Sequence, residues 1–197
     1  MNAKISEIAA RMAELEGHLE RALADEVEEQ RRKFLYAIEK GKVAFEPGAH
    51  ARHRALRQSV AAFLWEAPVK SLLVAPVTYS LIVPLVILDA WLWLFQAVCF
   101  SVYGIEKVDC SRYILLDRGR LQYLNVIERL NCNYCGYANG VLAYAREVAA
   151  RTEQYFCPIK HARRCVGAHA RYQKFLDFGD AGAYRKELAA LRADVRP

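Results

Sequence analysis

Residues 71–105 read SLLVAPVTYSLIVPLVILDAWLWLFQAVCFSVYGI, and Asp89 is the one formally charged residue in this stretch. About 20 consecutive apolar residues are enough to cross the hydrocarbon core of a bilayer. This apolar segment exceeds that minimum. It therefore predicts a chain that is inserted in a membrane or attached to one.

The residues around the apolar segment bear on its topology. Basic residues stand on both sides of it: Arg52, Arg54, Arg57 and Lys70 before, and Lys107, Arg112, Arg118 and Arg120 after. Loops rich in Lys and Arg prefer the cytoplasmic side, and prolines bend or break helices. We therefore expect a membrane-inserted hairpin over residues 68–106, bent near Pro84 and either shallow in the bilayer or crossing it as two tight spans, with both termini cytoplasmic at the inner or plasma membrane. A single span from about Leu81 to Tyr103 is the alternative.

Asp89 is the exception within the apolar segment. An ionisable residue at membrane depth costs several kcal/mol unless it is paired, neutral or close to water. Two interpretations follow: Asp89 has a function, or it lies near the hairpin turn, five residues after Pro84. Trp91, Trp93 and Tyr103 are expected to mark the membrane interface.

The N-terminal part, residues 1–46, is predicted to form an amphipathic or coiled-coil helix. Its apolar positions alternate in steps of three and four along Ile5, Ile8, Met12, Leu15, Leu19 and Ala22. This a/d pattern is typical of a coiled coil, so we expect a homo-oligomer or a protein partner here; an amphipathic helix packed on its own chain is equally compatible. The breaker Glu46-Pro47-Gly48 predicts a helix end near Lys42. The first twenty residues lack the apolar core of a signal peptide, so we expect this part to stay in the cytoplasm.

Two further regions complete the predicted organisation. Residues 49–67 begin with arginines and end with Phe63, Leu64 and Trp65, a composition typical of a basic interfacial helix. Residues 107–197 predict a small helical domain. Its apolar spacing indicates helices over 121–130 and 137–156, another starting at Cys157, and a last one over 183–193. The predicted fold class is therefore mostly α.

The predicted C-terminal domain holds a cysteine and histidine pattern, C-x2-C-x21-C-x3-H. The candidate metal ligands are Cys132, Cys135, Cys157 and His161, with Cys165 as the substitute for His161. Cytoplasmic cysteines remain thiols or metal ligands rather than disulfides. Three thiolates and one imidazole make a closed tetrahedral zinc site, and Gly136 would let the chain turn away after the first pair. Our first prediction is therefore a structural zinc ion that stabilises the fold of this domain.

Three alternatives for these cysteines remain open. Four cysteines, with Cys165 in place of His161, are the ligand set of an iron–sulfur cluster. A C-x-x-C pair can be redox-active. Cysteines also serve as small buried apolar residues. A di-iron site on Glu147, Glu153 and His161 is disfavoured because the Glu-x-x-His repeat of such sites is missing, and we expect both glutamates to pair with Arg146, Arg151 and Lys160 instead.

The sequence excludes several function classes. The 197-residue chain has a net charge of +6, but it contains no phosphate-binding loop and no nucleic-acid recognition motif, so we expect lipid rather than nucleic acid as its partner. Serine-hydrolase and metalloprotease motifs are missing, and we assign no catalytic residue. The predicted function is a membrane-anchored scaffold or adaptor with a structural metal site. The alternative is a membrane-bound redox component with iron on the same cysteines and a quinone or lipid-phase substrate near Asp89 and Trp91.

Overall fold

The structure is a computed structural model that describes residues 3–39 and 42–197. It is mostly helical, as predicted. The chain divides into two compact units. The first unit comprises the chain up to Trp65 together with Asp117–Arg129, and the second comprises Glu66–Leu116 and Leu130–Pro197.

The first unit begins with helix α1 (Ala3–Phe34), followed by strands β1 (Tyr36–Glu39) and β2 (Lys42–Phe45). The strands pair antiparallel, with Tyr36 opposite Phe45. The prediction that the first helix continues to about Lys42 was therefore wrong. Leu35 has a φ of 56°, a left-handed conformation that ends the helix, and residues 36–39 and 42–45 then form the strands.

The predicted interfacial helix of residues 49–67 is divided in two. Helix α2 (Pro47–Ala55) and helix α3 (Val60–Glu66) are separated by a non-helical segment. The Ser59 hydroxyl accepts a hydrogen bond from the Ala62 amide at 3.2 Å, which satisfies a free donor at the start of α3. His53 lies in this unit with its ring edge against Phe45 and Tyr123. The basic residues of α2 and the aromatic end of α3 therefore belong to separate helices.

The apolar segment forms helices α4 (Val69–Ser80) and α5 (Ile82–Phe95), a π-turn over Gln96–Phe100, and α6 (Ser101–Tyr103). These parts make one continuous helix, Val69–Tyr103, which we call the apolar helix. The hairpin bend predicted near Pro84 is not present. Leu81, between α4 and α5, keeps right-handed helical angles, so the chain continues in the same direction past Pro84, although proline cannot donate the helical hydrogen bond to the Ser80 carbonyl.

Helix α7 (Val126–Phe156) replaces the two predicted helices of residues 121–130 and 137–156. Its start is fixed by a capping box: the Asn125 side chain accepts from the Ile127 and Glu128 amides, and Glu128 accepts from the Asn125 amide at 2.8 Å. Such reciprocal bonds satisfy free donors at a helix start. The helix then continues through Cys132, Cys135 and Gly136 without the predicted break.

In the second unit, α7 runs parallel to the apolar helix. Contacts pair Tyr79 with Asn131, Asp89 with Tyr137, Gln96 with Tyr144 and Tyr103 with Tyr155, so both residue numbers rise together. Gly104, with a φ of 66°, ends the apolar helix, and the Ile105 amide bonds back to the Phe100 carbonyl. The buried core then forms around this junction from Leu92, Phe100, Ile105, Val108, Tyr144, Val148 and Val195.

The segment of residues 105–116, which we call the strap, returns along α7 in the opposite direction. It passes Arg151 at Glu106 and reaches Gly136 at Leu115. A Cβ on Gly140 would lie 2.8 Å from the Tyr113 carbonyl oxygen and from the Ile114 Cα, and one on Gly136 would lie 3.1 Å from the Leu115 carbonyl oxygen. The two glycines, one helical turn apart, therefore let the strap backbone lie directly on the helix.

The end of the chain contains a loop and one helix. After α7, residues 157–176 form a loop closed by a parallel bridge between Ile159 and Leu176, so the helix predicted to start at Cys157 is not present. The predicted last helix is confirmed as α8 (Ala181–Ala193), which begins two residues earlier than expected. The Asp180 side chain caps it by accepting from the Ala183 amide at 2.8 Å.

Candidate functional site

The predicted metal ligands lie on different elements of the second unit. Cys132 is half-buried and Cys135 is exposed, three residues apart on α7. Cys157 follows the last residue of α7, and its amide bonds to the Glu153 carbonyl. His161 and Cys165 lie on the exposed side of the loop. The turn that was expected to aim the first two thiols at one ion is instead regular helix.

Within the described part of the chain, the side chains at these positions do not lie together around one point. Within residues 3–39 and 42–197 there is no group of three or more His, Cys, Asp or Glu side chains arranged to hold an ion. The His161 ring instead stacks on Tyr172 at 6.1 Å between centroids. The sequence spacing had placed Cys157 and His161 on one helix face, and the loop removes that geometry. Metal binding by these cysteines and His161 remains a prediction.

The face between the apolar helix and α7 carries polar contacts along its length. Tyr137 Oη donates to Asp89 Oδ2 at 2.9 Å, and Tyr134 Oη donates to the Thr78 carbonyl at 2.6 Å. Burial, and after it the Asp89 carboxylate, raises the pKa of Tyr137 to about 12. Asp89 is thus paired with a neutral donor, and there is no turn beside it. The hydrogen bond from Tyr137 accounts for the carboxylate in the apolar helix. Neither a functional role for Asp89 nor a hairpin turn beside it is needed to explain its presence.

Gln96 holds the strap to both helices. Its side chain is 4% exposed, its amide donates to the Tyr144 hydroxyl, and its carbonyl accepts from the Val108 amide at 2.7 Å. The π-turn of the apolar helix begins at this residue. Burial also raises the pKa of Tyr144. Gln96 therefore connects three elements through one fully bonded side chain, a structural role that its position in the apolar segment did not reveal.

A charged network surrounds the second half of α7. Glu147 Oε1 accepts from Arg151 Nε at 2.9 Å and from Arg171 Nε at 3.0 Å. Arg151 also donates to the carboxylate and carbonyl of Glu106, and Glu153 pairs with His169 at 2.9 Å. The expected pair Glu147–Arg151 is thus confirmed. The expected partners Arg146 and Lys160 bind elsewhere, because the loop brings His169 and Arg171 to the glutamates.

Gln154 extends this network to α8. It is completely buried, accepts from Arg171 at 3.1 Å, and donates to Asp194 Oδ2 at 2.8 Å and to the Leu191 carbonyl at 3.0 Å. The Lys174 ammonium, 2.8 Å from Asp194, and the Gln154 amide lower the pKa of Asp194. Apart from Glu147 and Arg151, which are four residues apart on α7, the residues of this network are too far apart in sequence for local spacing to show that they meet. Their matched donors and acceptors join α7, the loop and α8.

The remaining surface of the apolar helix is apolar and uncovered. Residues on its free side are well exposed, among them Leu73, Val77, Val83, Ile87, Trp91, Trp93 and Val102. Only 6% of its most apolar 18-residue window is buried, and by length and composition this helix is able to cross a membrane. An apolar surface of this extent marks an interaction site for a membrane or another protein.

No protein family, curated protein or solved structure matches this chain. Function is therefore inferred from the fold and from the surfaces described above.

Proposed function

We propose that the protein is a membrane-anchored scaffold or adaptor, in which the apolar helix inserts into the bilayer and α1 binds a second copy of the chain. The observation that carries the anchor is the uncovered surface of the apolar helix. A helix of mean hydropathy 2.2 that belonged to a soluble core would be mostly buried, whereas this one is 6% buried over its most apolar window. Lipid is the partner that suits an apolar surface of this size.

The geometry favours shallow insertion along the membrane plane. At 35 residues, the apolar helix is about 52 Å long, against a hydrocarbon core of about 30 Å. Its covered face carries polar contacts to α7 from Tyr79 to Gln96, and these groups stay near water if that face points out of the bilayer. Basic residues on both sides of the helix then remain cytoplasmic, in keeping with the positive-inside rule.

The second surface is the apolar seam of α1. Ile8, Met12, Leu15 and Leu19 are 47–62% exposed. The seam also includes Ile5, whose side chain lies outside the described residues. In a parallel dimer this register places Arg11 at a g position and Glu16 at the facing e position, an attractive pair between chains. A second copy therefore fits the seam in both shape and charge, and attachment to one membrane would raise the effective concentration of the two helices.

The metal predicted from the cysteine pattern is a separate proposal. Zinc, or iron in the redox alternative, would need Cys132, Cys135, Cys157 and either His161 or Cys165 to move together. Metal analysis with an optical spectrum of the purified protein tests it. One zinc per chain without colour supports a structural metal, and iron with a visible band supports the redox alternative.

Membrane fractionation tests the anchor. The native chain is expected in the membrane pellet after washing with alkaline carbonate. Replacing Val86 and Ile87 by Glu places two charges on the free side of the apolar helix and is expected to release the protein. The matched control replaces Leu142 and Ala143, exposed on α7, by Glu and is expected to remain in the pellet. A native chain that is soluble without detergent contradicts the proposal.

Protease protection tests the topology. In intact cells, tags at both termini are expected to resist an external protease, and both are expected to be cut in inverted vesicles. Digestion of one tag in intact cells would instead show a single span.

Cross-linking tests the seam. The native chain is expected to form a cross-linked dimer in membranes, and Leu15→Lys is expected to abolish it. Glu14→Lys, beside the seam, is the matched control and should leave the dimer in place. An unchanged yield in Leu15→Lys would contradict dimerisation through α1.

A further inference from the structure

The loop of residues 157–176 is strongly basic. It contains five Lys or Arg residues and no Asp or Glu. Three of the five are neutralised by residues outside the loop: Lys160 by Asp177 at 2.9 Å, Arg171 by Glu147 at 3.0 Å, and Lys174 by Asp194 at 2.8 Å. Ion pairs of three of its five basic residues thus attach the loop to the rest of the second unit.

The other two cations, Arg163 and Arg164, are exposed. Neither has an ion pair or hydrogen bond to any residue in the described part of the chain. Val166 follows them with 89% of its surface exposed. The loop therefore presents two guanidinium groups that have no partner in the part of the chain that the structure describes, close to an apolar side chain that is almost completely exposed to solvent.

This arrangement is held in place from several directions. The Ile159–Leu176 bridge closes the base of the loop, and the His161 amide donates to the Tyr172 hydroxyl at 2.6 Å. Arg146 donates to the Gly167 and Ala168 carbonyls, both at 2.7 Å. The residues between these contacts form a short tip, residues 162–166, whose ends are fixed. Binding to a surface would consequently order few residues.

The loop begins where the apolar helix ends. Tyr103, in the last turn of the apolar helix, packs against Tyr155 and Phe156 with ring centroids 5.4 and 5.1 Å apart. Cys157, the first residue of the loop, comes next in the chain. Aromatic residues at the end of an apolar helix are typical of the headgroup level of a membrane. In the shallow orientation proposed above, the basic loop therefore begins on the water side of the apolar helix, next to the lipid headgroups.

We propose that the tip, residues 162–166, binds anionic lipid headgroups through Arg163 and Arg164, with Val166 entering the headgroup boundary. The proposal rests on the membrane attachment proposed above. Each basic residue near an anionic membrane surface strengthens binding about five-fold, provided that it is not already paired. Lipid fits better than nucleic acid because the tip places an exposed aliphatic side chain, not an aromatic ring for base stacking, beside its cations.

Hydrogen exchange of the full-length protein in lipid nanodiscs tests this inference. The discs contain phosphatidylcholine alone or with about a third phosphatidylserine, which supplies the negative surface potential. Amides of residues 162–168 are expected to exchange at least about five-fold more slowly in the anionic discs. Added salt is expected to reduce the difference, because it screens exposed charges.

Three variants separate the contributions of the two arginines, of Val166 and of overall charge to lipid binding. Replacing Arg163 and Arg164 by Ala is expected to remove the difference between the two kinds of disc, and Val166→Asp is expected to reduce it. Replacing Arg185 and Lys186, exposed on α8, by Ala removes the same charge elsewhere and is expected to leave the difference unchanged.

Equal exchange in both discs, with the protein incorporated, would overturn the lipid contact and leave the membrane anchor standing. Failure of the protein to incorporate into either disc would overturn both proposals. Protection of the tip by a short RNA in neutral discs, with none from phosphatidylserine, would assign the surface to nucleic acid instead.

Discussion

Tyr137 on α7 donates a 2.9 Å hydrogen bond to Asp89, the single charged residue of the apolar segment. This bond explains how a helix of such high hydropathy tolerates a carboxylate: a neutral donor from the neighbouring helix satisfies it. It also fixes the register in which the two helices pack in parallel.

Replacing Tyr137 by Phe is expected to destabilise the second unit by about 1–3 kcal/mol, because the Asp89 carboxylate loses its partner while remaining partly buried. Thermal unfolding in detergent, followed by circular dichroism, measures the change. The double variant Tyr137→Phe with Asp89→Leu removes both polar groups and should recover much of the loss. A single variant that melts like the native protein would show that the bond contributes nothing.

Alkaline pH is expected to break the same contact. The pKa of Tyr137 is raised to about 12, so the neutral phenol is favoured by folding. Its contribution to stability is complete below pH 10, the ordinary pKa, and is lost as the pH rises through about 12. The phenolate absorbance of the native protein minus that of Tyr137→Phe is expected to rise with a midpoint near pH 12. A midpoint near pH 10 would contradict the buried environment of this phenol.

Gly140→Ala is expected to destabilise the packing of the strap by about 1–3 kcal/mol, as overpacking does in a close-packed interior. Its new methyl group would meet backbone atoms of Tyr113 and Ile114 at 2.8 Å, and backbone does not yield as a flexible side chain does. Gly136→Ala, at 3.1 Å from the Leu115 carbonyl oxygen, should cost less. Urea unfolding compares them with Gly17→Ala, where nothing lies within 4 Å and helix propensity favours alanine. If Gly140→Ala were as stable as Gly17→Ala, the close approach of the strap would be refuted.

Cys135→Ser distinguishes the structure from the metal prediction. Cys135 is exposed on α7, so its replacement is expected to change the stability by less than about 0.5 kcal/mol. If a metal stapled this domain, the same change would unfold it, because ligand binding and folding are coupled. Thermal melts and metal content of the native and variant proteins decide, with Cys110→Ser at a second exposed position as the control. An unfolded Cys135→Ser protein would restore the zinc site.

Acidification is expected to loosen the attachment of α8. Lys174 and the buried Gln154 bind Asp194 and hold its pKa below the ordinary value of 3.8. This contribution is complete above pH 3.8 and is lost as the pH falls through the lowered pKa. Hydrogen exchange of residues 181–194 should accelerate in that pH range before hydrogen exchange of α7 does. Asp194→Asn should show faster exchange already at neutral pH, and no difference from the native chain there would contradict the role of this carboxylate.

Residues close in sequence gave the most reliable predictions. The apolar segment, the amphipathic start of α1 and the last helix were all visible in the sequence, because helix periodicity and hydropathy depend on neighbours within a few residues. The end of α1 was missed because Leu35 takes a left-handed conformation that nothing in its residue type indicates. The break expected at Cys132–Gly136 was wrong because a long helix packed along its length overrides a weak local preference.

The predicted cysteine site shows that residue spacing predicts a site only where the local structure is predicted correctly. Spacing alone placed Cys157 and His161 on one helix face, and this holds only if the chain there is helical. The loop of residues 157–176 is irregular around His161 and contains a 3-10 helix over Ala170–Lys174. Its ends pair through Ile159 and Leu176, and its charges bind Glu147 and Asp194. Apart from Ile159, these partners lie more than ten residues from His161, so the spacing of the cysteines and the histidine could not reveal them.

The sequence by itself determined that this is a mostly helical chain with one long apolar segment between basic flanks and an apolar seam near its start. These properties follow from composition and short-range periodicity. Only the tertiary structure decided that the apolar segment is one continuous helix and that α7 lies parallel to it with Tyr137 bonded to Asp89. It also decided that Arg163 and Arg164 are left without an ion pair among residues 3–39 and 42–197. The physical reason is that ion pairs, hydrogen bonds and close backbone contacts depend on which distant residues meet, and no local preference encodes that choice.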